Sequence, residues 1–154
     1  GPAQKRSGAG QSGGRAIATV DAGKADVIIS ANMTVPTATL SLVVRWTDEN
    51  NFVMLRRTPT NLQLVKVVAG VTTTVSDNAS TYVAGAEVRL VCESTKFRMF
   101  YNSAAVSTEQ TIADAAVQSA TMVGLRSGDT TCTVDNFVAY ARGSGGEYAA
   151  LDDY

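Results

Sequence analysis

Residues Leu40–Arg57 read LSLVVRWTDENNFVMLRR. Two runs of apolar alternation flank a polar knot at Thr47-Asp48-Glu49-Asn50, which predicts two antiparallel strands joined by a four-residue loop. That loop length sets Arg45 opposite Phe52 and Val43 opposite Met54. Strand alternation then sorts the side chains onto two faces. Leu42, Val44, Trp46, Val53 and Leu55 share one face, which is purely apolar and is expected to be core. Val43, Arg45, Phe52, Met54 and Arg56 share the other, which mixes cation, aromatic ring and thioether.

The same texture extends in both directions. Short valine- and threonine-rich runs are broken by Gly, Asn, Asp and Ser, and only three prolines interrupt the chain. Further strands are expected near Val27–Met33, Leu62–Val68, Val71–Ser76, Glu87–Glu93, Phe97–Tyr101, Met122–Arg126 and Thr131–Ala141. Ala69-Gly70 marks a tight hairpin, with weaker turn signals at Ser94-Thr95 and Asn102-Ser103. Thr108–Ala120 is expected to be a strand end followed by a loop. Val88, Leu90 and Cys92 fall on one face of their strand, and Phe97, Met99 and Tyr101 on one face of theirs, leaving Arg89 and Arg98 outside. Several strands thus carry an arginine on an outer face. Arginine offers fork-shaped donors, and aromatic rings stack on the apolar faces of sugars and peptides. Arg45, Phe52, Met54, Arg56 and Arg98 are therefore expected to form a ligand platform, with Asn51 and the Asp48–Asn51 turn at its rim. Many short strands and short turns together predict an all-β chain, an antiparallel sandwich.

Composition narrows the function. The chain has 154 residues, 45% hydrophobic and 18% charged, which suits one folded domain. Thirteen basic and fourteen acidic side chains give a net charge of −1, which argues against nucleic acid as a partner. No run approaches the roughly 20 apolar residues of a membrane span, so no membrane insertion is expected. Histidine is absent, which removes imidazole acid–base chemistry, Ser-His-Asp and Cys-His mechanisms and histidine-based zinc sites. Cys92 and Cys132 are the two cysteines; a single bridge and two separate thiols both remain open. Residues 1–16 are a Gly/Ser-rich linker beginning with Gly1-Pro2, the scar of a tag-removing protease, so the lack of a leader carries no information. Residues 17–142 are the domain body, and residues 143–154 an acidic C-terminal tail, with docking through Tyr148, Leu151 and Tyr154 as the alternative.

The runs VVRWTDENNFVMLRR, LQLVKVVAGVTTTV, EVRLVCESTKFRMFYNSAAV and MVGLRSGDTTCTVDNFVAYA together resemble the concanavalin A-like, laminin-G-type jelly roll. Such domains accompany glycoside hydrolases, secreted adhesins and bacteriophage minor tail proteins, and the opening ATVDAGKADVIISANMTV looks most like the tail-protein versions. The resemblance covers most of the chain, from Ile17 to Arg142. It implies a non-catalytic binding or structural module in a virion or extracellular setting. Its partners would be cell-surface glycan or neighbouring virion or extracellular subunits, with a homo-oligomer left open. The alternative it implies is a carbohydrate-binding module of a secreted polysaccharide-degrading enzyme. The clustered carboxylates of the catalytic relatives are missing, so no enzyme is expected. In some relatives the closing strand binds a structural calcium. The resemblance makes Asp135 a candidate ligand, with Asp21 or Asp26 assisting. Where the family often has Asp-Gly or Asn-Gly, this chain has Asn102-Ser103, which implies a looser turn.

Overall fold

The computed structural model describes residues 16–35, 37–128, 131–142 and 148–150. They form strands β1 (Ala16–Asp21), β2 (Val27–Thr34), β3 (Leu40–Asp48), β4 (Asn51–Arg57), β5 (Asn61–Val68) and β6 (Val71–Ala79). These are followed by β7 (Glu87–Glu93), β8 (Lys96–Tyr101), β9 (Ala104–Thr111), β10 (Met122–Ser127), β11 (Thr133–Arg142) and β12 (Tyr148–Ala150). One 3-10 turn, Ala115–Val117, lies between β9 and β10. Two antiparallel sheets of six strands result, ordered β1-β10-β3-β4-β5-β6 and β12-β11-β2-β7-β8-β9.

The core between the sheets comes from the expected alternation. Leu42, Val44, Val53 and Leu55 of the first sheet meet Ile29, Leu90, Cys92, Phe97 and Met99 of the second. The turns follow their residues. Ala69 and Gly70 have φ of 52° and 80°, the double left-handed geometry that tight hairpins use. Asn102 and Ser103 adopt the same form, with φ of 52° and 71°. The turn expected to be looser is therefore tight, and it holds a serine in a region that favours glycine. Gly124 is required by close approach: a Cβ there would lie 1.9 Å from the carbonyl oxygen of Ala18.

The described residues of the resemblance-bearing segments fall within the sandwich, and the 108–120 stretch is a strand end and loop as expected. At the C-terminal end residues 148–150 form β12, an edge strand paired with Tyr140–Arg142. Of the linker expected at residues 1–16, residues 1–15 lie outside the described residues and Ala16 begins β1; Leu151 and Tyr154 also lie outside them.

One buried cation belongs to the fold. Arg57 is fully buried at the end of β4, with its guanidinium 4.3 Å from the Tyr101 ring and 5.8 Å from that of Tyr82. Its Nε donates to Thr58 O, and its Nη atoms donate to Ser80 Oγ and Ser80 O. Burial lowers its pKa, and the two phenols oppose that shift.

Candidate functional site

The decisive local event is a bulge in β3. Val43 pairs with Met54 and Val44 with Val53, but the ladder then shifts and resumes at Asp48 opposite Asn51. Arg45 sits at the shift with φ of 54°. Three β3 residues, Arg45–Thr47, stand opposite Phe52 alone, so that Val44 and Arg45 both turn inward and Trp46 changes face. Arg45 is therefore not on the outer platform and has no ladder pairing with Phe52. It is 1% exposed, and its guanidinium lies 5.3 Å from the Phe97 ring. Nε donates to Ala25 O at 2.7 Å and Nη1 to Val117 O at 3.2 Å. Nη2 donates to Ser94 O at 2.9 Å and to Asp26 Oδ1 at 3.2 Å. One side chain thus ties together the β1–β2 connection, the β7–β8 turn and the 3-10 turn. The loop itself is shorter than expected, only Glu49-Asn50 separating the strands.

Trp46 undergoes the opposite correction. Placed in the core by alternation, it instead joins the outer face of the first sheet, where its ring lies 5.0 Å from that of Phe52. Val43, Phe52, Met54, Val65 and Val67 form a second apolar cluster on this face, against which Ile17 and Trp46 pack. Phe52 and Met54 are on the expected face, but they are 3% and 2% exposed and act as its floor.

Beside this cluster the face carries a groove of about 190 Å³. Ser41 and Met54 are its buried floor, Arg56 and Arg126 flank it, and Thr39, Ser127 and Gly128 close one end. The register explains the arrangement: Arg126 of β10 pairs with Ser41 of β3, which pairs with Arg56 of β4. With neighbouring strands about 4.8 Å apart, the two arginine Cα atoms stand about 10 Å apart across Ser41. Arg126 Nη1 lies 3.6 Å from Met54 Sδ, and its guanidinium is 5.6 Å from the Phe52 ring. On the other side Arg56 Nε donates to Gln63 Oε1 at 2.9 Å, and Gln63 Nε2 donates to Asp77 Oδ1 at 3.1 Å. This relay holds Arg56 by one edge, so its Nη groups stay available for an acceptor.

Similar architectures occur among solved structures. The carbohydrate-binding module CBM66 from Bacillus subtilis matches with a TM-score of 0.69 at 13% identity, covering 84% of this chain and 83% of that one. Sheep galectin-11 in complex with glycerol matches at 0.59 and 11% identity, over 80% of this chain and 95% of the galectin. Congerin II liganded with lactose and MES matches at 0.56 and 12% identity, over 80% and 98%.

The chain is a jelly-roll β-sandwich.

No protein-family model matches the sequence, and no curated protein matches it. At these identities the likeness concerns the fold of the jelly roll alone.

The remaining expected site residues do not gather at the groove. Arg98 is exposed on β8, on the outer face of the second sheet, since its neighbours Phe97 and Met99 point into the core. Arg56 and Arg98 therefore lie on opposite sides of the jelly roll and share no platform. Asn51 lies five residues along β4 from Arg56, about 17 Å away for extended chain. Its amide donates to Asp48 Oδ1 and its oxygen accepts from Ala69 N, so it braces two adjacent hairpin turns.

Asp135 is exposed on β11, paired with Asn32 next to a bulge at Asn136. Neither expected calcium partner converges on it. Asp26 lies beside Arg142, some six residues away along the β2–β11 ladder, about 20 Å, and accepts from Arg45 and Ser94 N. Asp21 is in the other sheet and accepts from Gly23 N and Thr121 Oγ1, bonds that lower its pKa. Among the described residues no three His, Cys, Asp or Glu side chains cluster as a cation site needs. The carboxylates expected at this position therefore do not fit a calcium ion.

No disulfide joins Cys92 to Cys132. Cys92 is fully buried, and desolvation pushes its thiol up to about 12. Cys132 Sγ lies 3.5 Å from Thr39 O.

Sequence reasoning missed Ser41, Arg126 and the outward position of Trp46. For Arg126 a signal existed: in MVGLRS, alternation from the core residue Val123 puts Gly124 and Arg126 outside. For Trp46 none did, because the bulge that moves it carries no glycine or proline.

Proposed function

We propose that the chain is a non-catalytic glycan-binding domain whose site is the Arg56–Ser41–Arg126 groove on the outer face of the first sheet. The observation that carries this reading is the groove itself. Two guanidinium forks and the hydroxyls of Ser41, Thr39 and Ser127 border a floor of thioether and apolar side chains. Donors and acceptors of this kind match sugar hydroxyls, and the apolar floor matches the C–H face of a pyranose. Lactose in congerin II and the carbohydrate-binding name of CBM66 support the same choice of ligand class for this fold.

The groove is smaller than the usual 300–1,000 Å³ of a drug-sized site, which favours one sugar residue over a long chain segment. A carbohydrate-binding module of a larger secreted enzyme fits this reading. The setting in a phage tail or other virion surface rests on the sequence pattern of the opening strands.

A glycan array followed by calorimetry tests the proposal, using Arg56→Ala and Arg98→Ala as a pair. Binding that Arg56→Ala weakens and Arg98→Ala leaves intact supports it. Binding that depends on Arg98 alone moves the site to the other sheet and overturns it.

A further inference from the structure

We infer that Asp77, two strands from Arg56 and outside the groove, is a positioning residue for the glycan site: it fixes the amide of Gln63 and, through that amide, the guanidinium of Arg56. This rests on the glycan-binding reading and adds two residues that act on ligand binding without touching the ligand. The register places the three side chains in one row across the outer face of the first sheet. Arg56 on β4 stands opposite Gln63 on β5, and Gln63 stands opposite Asp77 on β6. With strands about 4.8 Å apart, the Cα atoms of Arg56 and Asp77 are about 10 Å apart. The neighbouring row on this face, Val43–Met54–Val65, is buried and apolar. The polar row therefore borders the floor, and neither Gln63 nor Asp77 lines the groove.

The bonds fit together in one orientation only. Arg56 Nε is a donor without acceptor capacity, so it must meet the carbonyl side of the Gln63 amide, which lies at 2.9 Å. A carboxylate only accepts, so Asp77 must meet the amino side of the same amide, at 3.1 Å. A Gln63 amide turned over would set its oxygen against the carboxylate and its amino group against the guanidinium, and both bonds would be lost together. Asp77 is itself held. Its Oδ1 also accepts from Asn61 Nδ2 at 2.9 Å, and Asn61 Oδ1 accepts from Thr60 Oγ1 at 2.6 Å.

The consequence for binding is entropic. Arg56 is a long, half-buried side chain, and an untethered guanidinium would lose its rotamer freedom when ligand binds. The relay takes that loss in the free protein, so ligand meets a guanidinium already aimed. Without Asp77 the arginine keeps its charge and reach but not its aim.

The test uses three variants of the whole chain and one probe, the oligosaccharide bound most strongly on a glycan array that includes lactose. In calorimetric titration Asp77→Ala and Gln63→Met should each weaken the probe by roughly three- to tenfold, the cost of ordering one long side chain. Asp77→Asn should recover the affinity, because its Oδ1 can accept from both amides as the aspartate Oδ1 does. A second readout needs no ligand. The NMR order parameter of the Arg56 Nε–H group should fall in Asp77→Ala and Gln63→Met and return to the wild-type level in Asp77→Asn. Thermal unfolding confirms that each variant is folded.

Wild-type affinity in Asp77→Ala, where Arg56→Ala still weakens the probe, overturns the inference and leaves the glycan reading standing. So does a weakened probe beside an Arg56 Nε–H as ordered as in the wild type, which would make Asp77 a direct ligand contact. Failure of Asp77→Asn to recover affinity also overturns it, by assigning the effect to charge instead of the bond to Gln63. A blank array removes the glycan reading and the inference together.

Discussion

Replacing Arg45 with methionine isolates the contribution of the buried guanidinium. Methionine keeps most of the length and apolar bulk, and as an L-residue it meets the same positive φ of 54°, so backbone strain is nearly matched. What disappears is the set of bonds to Ala25 O, Val117 O, Ser94 O and Asp26 Oδ1. Val117 O is the acceptor of a buried bond, so leaving it unpaired costs about 2 kcal/mol. Ala25 O and Ser94 O are in part-buried bonds where water can replace the donor, and each is worth about 0.5–1 kcal/mol. The Asp26 side chain is 41% exposed, so screening leaves its ion pair at most about 1 kcal/mol. The sum is about 3–5 kcal/mol, in the range for breaking a buried charged network. For a domain of this size that corresponds to a fall in Tm of roughly 10 °C. Urea unfolding followed by Trp46 fluorescence measures it. Asp26→Asn is the internal control: its Oδ1 still accepts from Arg45, and the loss should stay below about 1 kcal/mol. A loss under about 1 kcal/mol for Arg45→Met would refute the view that this side chain locks three connections together. Equal losses in the two variants would show that the ion pair, not the carbonyl contacts, carries the stability.

Further outcomes follow from single positions. Gly124→Ala should separate β1 from β10, because its Cβ would fall 1.9 Å from Ala18 O; amide exchange in Thr19 and Val20 should speed up sharply, and protection at the wild-type level would contradict the register. Ser103→Gly should stabilise by about 0.5–1 kcal/mol in urea melts, since glycine relieves the φ of 71° at some cost in unfolded-chain entropy. Cys92 should resist thiol-specific reagents at pH 8 until the domain unfolds, and rapid native labelling at Cys92 would place it outside the core. Its raised pKa also gives a sign for alkaline behaviour. The folded state keeps the thiol proton from about pH 9 up to about 12 while the unfolded chain loses it, so stability falls as pH rises through that window. A Cys92→Ser or Cys92→Ala variant should lack that component.

Most of the sandwich was legible because alternation and turn residues operate locally. Val88, Leu90 and Cys92 face inward together, as do Phe97, Met99 and Tyr101, with Arg89 and Arg98 outside as their spacing requires. Ala69-Gly70 marked its hairpin for the same reason. The site was less legible because it depends on where that local rule breaks. Arg45 and Trp46 exchange roles across the register shift in β3, and an arginine adopting a left-handed φ gives no compositional warning. Nor does alternation along a strand say which outer face belongs to which sheet. Arg56 and Arg98 looked equivalent in sequence, but β4 and β8 are assigned to different sheets by long-range pairing. Short-range signals gave only the end of β9 and missed β12 and β1, edge or near-terminal strands with few large apolar residues.

The central claim is that ligand enters the groove on the first sheet. Backbone amide shifts recorded while the saccharide found by array is titrated in test it most directly. The account predicts perturbations at Ser41, Met54, Arg56, Arg126 and Ser127, with Arg98 and its neighbours on β8 unmoved. Perturbations confined to β7 and β8, with those five residues silent, would contradict it.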